Sequence, residues 1–271
     1  MGSPELRPET RAALEALRAV LPLVQERRGA SEVRAKGPND IVTGTDVLVQ
    51  STLQQILHEQ HPHIAFLGEE GSPDLAPDAR RMWLVDPICG TSNYAAGIPL
   101  FAINVALVED QRIAASAVAD GGTGDLYVAE HNNGAWRISS SGLHRLQVSD
   151  TNLIVSVDPD VRGGPGLQDF PTAFAVEALA GHRWDVRALS STIALVYVAS
   201  GRLGGAVYAP LGAALHFAAG VLLAQEAGAI VTDHAGADWT LESPICVVAA
   251  TRALHAELIA LATEVYARAT A

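Results

Sequence analysis

Lysine is almost missing from this 271-residue chain: Lys36 is the single example, and the 18 lysines and arginines together are outnumbered by 30 aspartates and glutamates. A net charge of -12 with no local basic patch excludes nucleic acid and anionic membrane surfaces as partners. Cysteine is as scarce. Cys89 and Cys246 are too few for a disulfide framework. No apolar run approaches the ~20 residues that would span a bilayer, and no charged-apolar-small leader opens the chain. A cytoplasmic protein is therefore expected. Repeats, low-complexity tracts and long linkers are missing too, which argues against solenoid or tethered-module organisation.

What is present is core-forming. Hydrophobic residues make up 49% of the chain and charged ones 18%, enough for one large or two tightly packed units. Leu14, Leu17, Leu21 and Val24 recur at helical spacing within residues 8–28, where Pro22 is a candidate kink. "KGPNDIVTGTD" reads as a turn-rich loop, followed by a helix with Val49, Leu53, Ile56 and Leu57 on its apolar face and Thr45 or Asp46 as its cap. Short β-rich runs then dominate up to about residue 148, as in "IAFLG", "MWLVD" and "FAINVALV". Beyond that point strands such as "LIVSV", "AIVTD" and "ICVVAA" alternate with helical stretches near 171–180, 191–200, 216–228 and 252–268. The chain thus divides into an α+β half, 1–148, and an α/β half, 149–271, with the cleft between them as the default ligand site.

One stretch carries the chemistry. "MWLVDPICGTSNYAAG" is a buried strand that runs into a loop holding Asp86, then a Gly-Thr turn whose backbone N–H groups suit an anion. A second carboxylate beside Asp86 would make a hard-cation site. Cys89 stands there instead.

Four segments, "NDIVTGTD" at 39–46, "LGEE" at 67–70, "WLVDPICGTSN" at 83–93 and "ALHFAAGVLLAQEAGAIVTD" at 214–233, resemble the inositol monophosphatase family. "GDLYVAEHNNGAW" and "VYVASGRLGG" extend the resemblance over nearly the whole chain. It implies a layered α-β-α-β-α sandwich, a homodimer, and metal-dependent hydrolysis of phosphomonoesters. It also implies roles. Glu69 and Asp86 fall on metal-ligating carboxylates, the Ile88 carbonyl on a backbone ligand, and Thr91 with Asp46 on the pair that orients the attacking water. Gly90 and Thr91 fall on the phosphate-binding turn. Two further ligand aspartates fall on Cys89 and His216, with Leu215 where a tryptophan is usual. An acidic position after "VASGR" falls on Gly204 or Gly205, and a sugar-binding glutamate on Tyr208 or Ala209.

Magnesium prefers oxygen ligands, so these replacements predict at most one weakly bound divalent cation at Glu69, Asp86 and Ile88, or none. A thiolate and an imidazole would instead favour zinc or iron. A third option makes Cys89 a nucleophile or acid/base group with His216 as partner. Each also has a plain reading: Cys89 and Cys246 as packed apolar groups, His216 as a cap, and Glu226 as a turn stabiliser. The leading expectation is a cleft reused for elimination, cyclisation or isomerisation of a small polar metabolite, with Glu69, Asp46 or Asp86 as base. A slow magnesium phosphatase and a non-catalytic binding protein are the rivals.

Overall fold

The computed structural model describes residues 5–37, 40–71, 79–158, 167, 169–181, 184–209 and 214–270. Helix α1 (Pro8–Arg27) is followed by strands β1 (Val33–Gly37) and β2 (Asp40–Thr43), then α2 (Gly44–Gln60). Strands β3 (Ala65–Gly68) and β4 (Arg81–Cys89) lead through a short α3 (Thr91–Ala95) to β5 (Ala102–Glu109), β6 (Arg112–Asp120), β7 (Leu126–Glu130), β8 (Gly134–Ser139) and β9 (Gly142–Arg145). The remainder is β10 (Ile154–Val157), α4 (Phe170–Ala180), β11 (Asp185–Arg187), α5 (Ile193–Ala199), β12 (Gly205–Tyr208), α6 (Ala214–Glu226), β13 (Ile230–Thr232), β14 (Cys246–Ala249) and α7 (Arg252–Ala269).

Seven strands, β3 to β9, form one sheet in sequence order. β3 and β4 are parallel and the other neighbours antiparallel. A second sheet has the order β11-β10-β12-β14-β13. Helices α1 and α2 cover one face of the large sheet through Leu17, Val20, Leu53 and Leu57. Its other face meets α5 and α6 through Ile193, Val196, Ala219 and Leu222. Those two helices also pack on the small sheet, whose far face is covered by α4 and α7. The result is the expected α-β-α-β-α sandwich. Because both faces of the large sheet are covered, β5 is buried along almost its whole length, which is why "FAINVALV" reads as a continuous apolar run rather than an alternating one.

Two local features differ from expectation. The turn-rich segment before α2 contains β2, which pairs antiparallel with β1. Pro22, the candidate kink, lies inside α1. The cap of α2 is Thr43, two residues earlier than expected, with Asp46 as its third helical residue. Among the described residues no helix is long and apolar enough to cross a membrane.

Candidate active site

The start of α2 is built as a capping box. Thr43 Oγ1 accepts from the Thr45 and Asp46 N–H groups at 3.2 and 3.4 Å. In return Asp46 Oδ2 accepts from the Thr43 N–H at 2.9 Å and from Thr43 Oγ1 at 2.5 Å. The other carboxylate oxygen of Asp46 accepts from Thr91 Oγ1 at 3.3 Å, and Thr91 Oγ1 is also 3.0 Å from the Ile88 carbonyl. One hydroxyl proton serves two acceptors, so it can swing between them. Burial pushes the Asp46 carboxyl up to about 6, against the hydrogen bonds from Thr43 and with help from the charges of Glu70 and Asp86.

Asp86 and Cys89 come together through an irregularity in β4. Its pairing with β5 shifts register between these two residues, and Pro87, which has no N–H to give a ladder, lies inside the shift. Asp86 and Cys89, three residues apart, consequently line one pocket, where a regular strand would send them to opposite faces. Gly90 follows with φ of 101°, and a Cβ there would meet the Leu100 carbonyl oxygen at 2.9 Å and the Ser191 Cβ at 3.0 Å. Only glycine fits that turn.

Glu69 reaches the pocket from the end of β3. The parallel register pairs Gly68 with Val85, and the Glu69 N–H donates to the Val85 carbonyl at 3.2 Å. Gln50 of α2 occupies the space that a Cβ at Gly68 would need. Its Oε1 accepts from the Glu70 N–H at 2.7 Å, and its Nε2 donates to the Glu70 carbonyl. Lys36, on β1, holds Glu69 at 3.1 Å and Glu70 at 2.5 Å. Burial, then the charge of Asp86, raises the Glu69 carboxyl to about 7 despite His216 and Lys36.

His216, on the first turn of α6, sets Nδ1 2.5 Å from Asp86 Oδ2 and 4.0 Å from Glu69 Oε2. Asp86 is fully buried, and its Oδ1 meets no hydrogen-bond donor. Burial disfavours the charged form of Asp86, but the His216 imidazole more than offsets this and holds the carboxyl below its usual range. Burial and the neighbouring Asp86 raise the Cys89 thiol instead. Its sulfur accepts from Thr192 Oγ1 at 2.9 Å and from the Thr192 N–H at 3.3 Å.

The expected residues Glu69, Asp86, Ile88, Cys89, Gly90, Thr91 and His216 all line this pocket. Asp46 stands behind it, in contact through Thr91. Tyr208 also lines it and donates to the Ser191 carbonyl at 3.2 Å. Gly204 and Gly205 do not line it: Gly204 abuts the Asn152 carbonyl and Gly205 the Val248 carbonyl. Leu215 packs against the core between the large sheet and α5/α6. Glu226 holds the turn between β7 and β8, accepting from the Asn132 and Gly134 N–H groups at 2.7 and 2.8 Å.

Sequence reasoning missed Asp158, Ser190, Ser191, Thr192 and Phe217, which complete the pocket wall. It also missed Asn104, whose Nδ2 donates to Thr192 Oγ1 at 3.0 Å and to the His216 carbonyl at 3.4 Å. Asn104 is the single polar residue inside an apolar strand, a signal that could have found it, since a buried amide needs partners.

A sequence profile of the inositol monophosphatase family matches residues 5–267. The chain belongs to the inositol monophosphatase family. An inositol-1-monophosphatase from Rhizobium meliloti is 35% identical over 177 residues, 64% of this chain and 65% of that relative, so the match spans just under two thirds of the relative's length. The Nus factor SuhB of Haemophilus influenzae is 28% identical over 66% of this chain and 67% of that protein. The solved inositol monophosphatase of Thermotoga maritima superposes with a TM-score of 0.82 at 26% identity, covering 94% of this chain and 97% of that one.

This membership corrects the expected reuse of the cleft for elimination, cyclisation or isomerisation. Relatives named inositol-1-monophosphatase align with the chain, and nothing favours a different chemistry. The physical reason is that residues the resemblance assigns to one site do come together. Asp46, Thr91 and the Ile88 carbonyl form one hydrogen-bonded group beside Glu69 and Asp86. Cys89 and His216 also do not leave a void: with Asp86 they bring three ligand atoms within 4.8 Å of one another, a possible metal site.

Proposed function

We propose that this chain is a metal-dependent phosphomonoesterase acting on a small polar phosphate ester. One observation carries the reading: Thr91 Oγ1 lies within hydrogen-bond reach of both the Asp46 carboxylate and the Ile88 carbonyl, at the edge of a pocket where Asp86 Oδ1 is buried without a donor. A cation is what such an orphaned carboxylate oxygen accepts in place of a hydrogen bond.

The residues fit a divalent ion held by Glu69, Asp86 and the Ile88 carbonyl, three oxygen donors of the type hard cations take. When bound, that ion would polarise the phosphoryl group and lower the pKa of water. The chain's own groups do the rest. Thr91 can accept a hydrogen bond from a water while donating to Asp46. Asp46, with a carboxyl pushed up to about 6, is poised near neutrality to receive the proton. Backbone N–H groups at Gly90 and Thr91 are assigned to the phosphoryl oxygens. Tyr208 and Phe217, with ring centroids 5.1 Å apart, give the leaving-group side a partly apolar wall.

The test is phosphate release from a panel of polyol and sugar monophosphates, with divalent ions titrated one at a time. Release that depends on the added ion and disappears in Thr91→Val supports the reading. A panel that yields no phosphate with any ion overturns it.

A further inference from the structure

We propose that Asp86, Cys89 and His216 form a site for one borderline divalent ion of the zinc class, in place of the second hard-cation site that the family's carboxylates imply. The proposal concerns which ion binds and does not depend on the phosphatase reading.

The donor set comes first. One carboxylate oxygen, one sulfur and one imidazole nitrogen all lie within 4.8 Å of one another. Magnesium takes oxygen ligands in a near-ideal octahedron, and a thiol with an imidazole does not meet that demand. Zinc and its neighbours accept this mixture readily. Three protein ligands leave a fourth position open, the pattern of catalytic rather than structural zinc sites. Glu69 Oε2, 4.0 Å from His216 Nδ1, stands at the margin of the same group.

Two further observations point to a ligand. Asp86 lines the pocket and is fully buried, and its Oδ1 makes no hydrogen bond. The sulfur, by contrast, is surrounded by donors. Asn104 Nδ2 donates to Thr192 Oγ1 at 3.0 Å, which leaves the Thr192 hydroxyl proton for Cys89 Sγ at 2.9 Å, and the Thr192 N–H joins at 3.3 Å. These donors oppose the burial and the Asp86 charge that hold Cys89 as a thiol in the absence of an ion, and such outer hydrogen bonds orient and tune metal ligands. Asn104 also donates to the His216 carbonyl at 3.4 Å, so one buried amide ties both soft ligands together.

Without an ion the cluster closes on itself, with His216 Nδ1 2.5 Å from Asp86 Oδ2. Ligand arms of ~2.0 Å around a tetrahedral ion stand ~3.3 Å apart, so entry requires that contact to open by less than about 1 Å. On binding, the Cys89 S–H bond breaks, a metal–sulfur bond forms, and the proton leaves to solvent. His216 contributes a lone pair in its neutral form.

The test uses the full chain, freed of metal by a chelator and titrated with Zn²⁺, Co²⁺ or Mg²⁺ alone. A bound Co²⁺ with an intense near-ultraviolet sulfur-to-cobalt band is expected, as is Zn²⁺ affinity at least ~100-fold above that for Mg²⁺. Cys89→Ser should lose the band while Cys246→Ser keeps it, because Cys246 is buried in β14 on the small sheet. Thr192→Val should weaken Zn²⁺ by roughly 10-fold or more, with circular dichroism confirming that each variant folds. Cobalt binding without the sulfur band, equal affinity in Cys89→Ser, or Mg²⁺ held as tightly as Zn²⁺ would each overturn the proposal.

Discussion

The two sides of the cleft use different atoms for neighbouring tasks. The Ile88 carbonyl, Glu69 and Thr91, which is backed by Asp46, present oxygen; Cys89 and His216 present sulfur and nitrogen, and Asp86 belongs to both groups. The oxygen side is held by elements of secondary structure: a helix cap, a strand end and a strand irregularity. The softer side uses the same β4 irregularity and the first turn of α6, and is further tied by side chains through Thr192 and Asn104. The contrast teaches that neighbouring positions on one scaffold can carry hard or soft donors.

The sharpest way to break the comparison is Asp46→Asn. Asparagine keeps capping geometry available but cannot take a proton from water. Turnover should fall on the order of 10²–10⁴-fold with unchanged circular dichroism; unaltered kcat would remove Asp46 from the chemistry. Next comes the double variant Cys89→Asp/His216→Asp, which makes both sides oxygen. Its half-saturating Mg²⁺ concentration should drop by at least about 10-fold, because a carboxylate beside a divalent ion contributes more than ~1.4 kcal/mol. Unchanged Mg²⁺ dependence would mean that these two positions do not face the ion.

Smaller effects test the scaffold. Gly90→Ala forces a side chain into a left-handed turn against the Leu100 carbonyl, and should destabilise the fold by about 1–3 kcal/mol, read from denaturant midpoints. The gentlest probe is Glu69→Gln in chelator. A carboxyl raised to about 7 from 4.5 disfavours the folded state once ionised, so its contribution is lost as pH rises through the folded value. The glutamine variant should therefore melt higher above pH 7 by about 2–4 °C, and the gap should close on acidification. A gap that widens on acidification would reverse the assigned shift.

The oxygen side is legible through the family resemblance, because "GTD", "GEE" and "DPICGT" are short contiguous motifs that can be matched position by position, although their spacing does not show that three separate segments meet. Apolar runs and turn residues mark most of the strands and the major helices, while their arrangement in layers comes from the resemblance. What stays hidden depends on long-range contact. Thr192 and Asn104 lie 88 residues apart, and no periodicity announces that they bond. The hairpin of β1 and β2 is masked by its glycine and by strand residues that are mostly exposed or half-buried, and the capping residue Thr43 by two plausible competitors downstream. The misjudged function has the same origin. Replacing aspartates by Cys89 and His216 reads as loss or as a softer donor set with equal ease in sequence, and only three dimensions show their ligand atoms close to Asp86.

The scarcity of lysine acquires a practical meaning once Lys36 is seen gripping Glu69 and Glu70. An amine-reactive reagent will find one side-chain target in this chain, and that target is paired with Glu69, a residue of the pocket lining. If an incoming cation draws Glu69 away, labelling should accelerate, giving a mass-spectrometric readout of occupancy with no engineered tag.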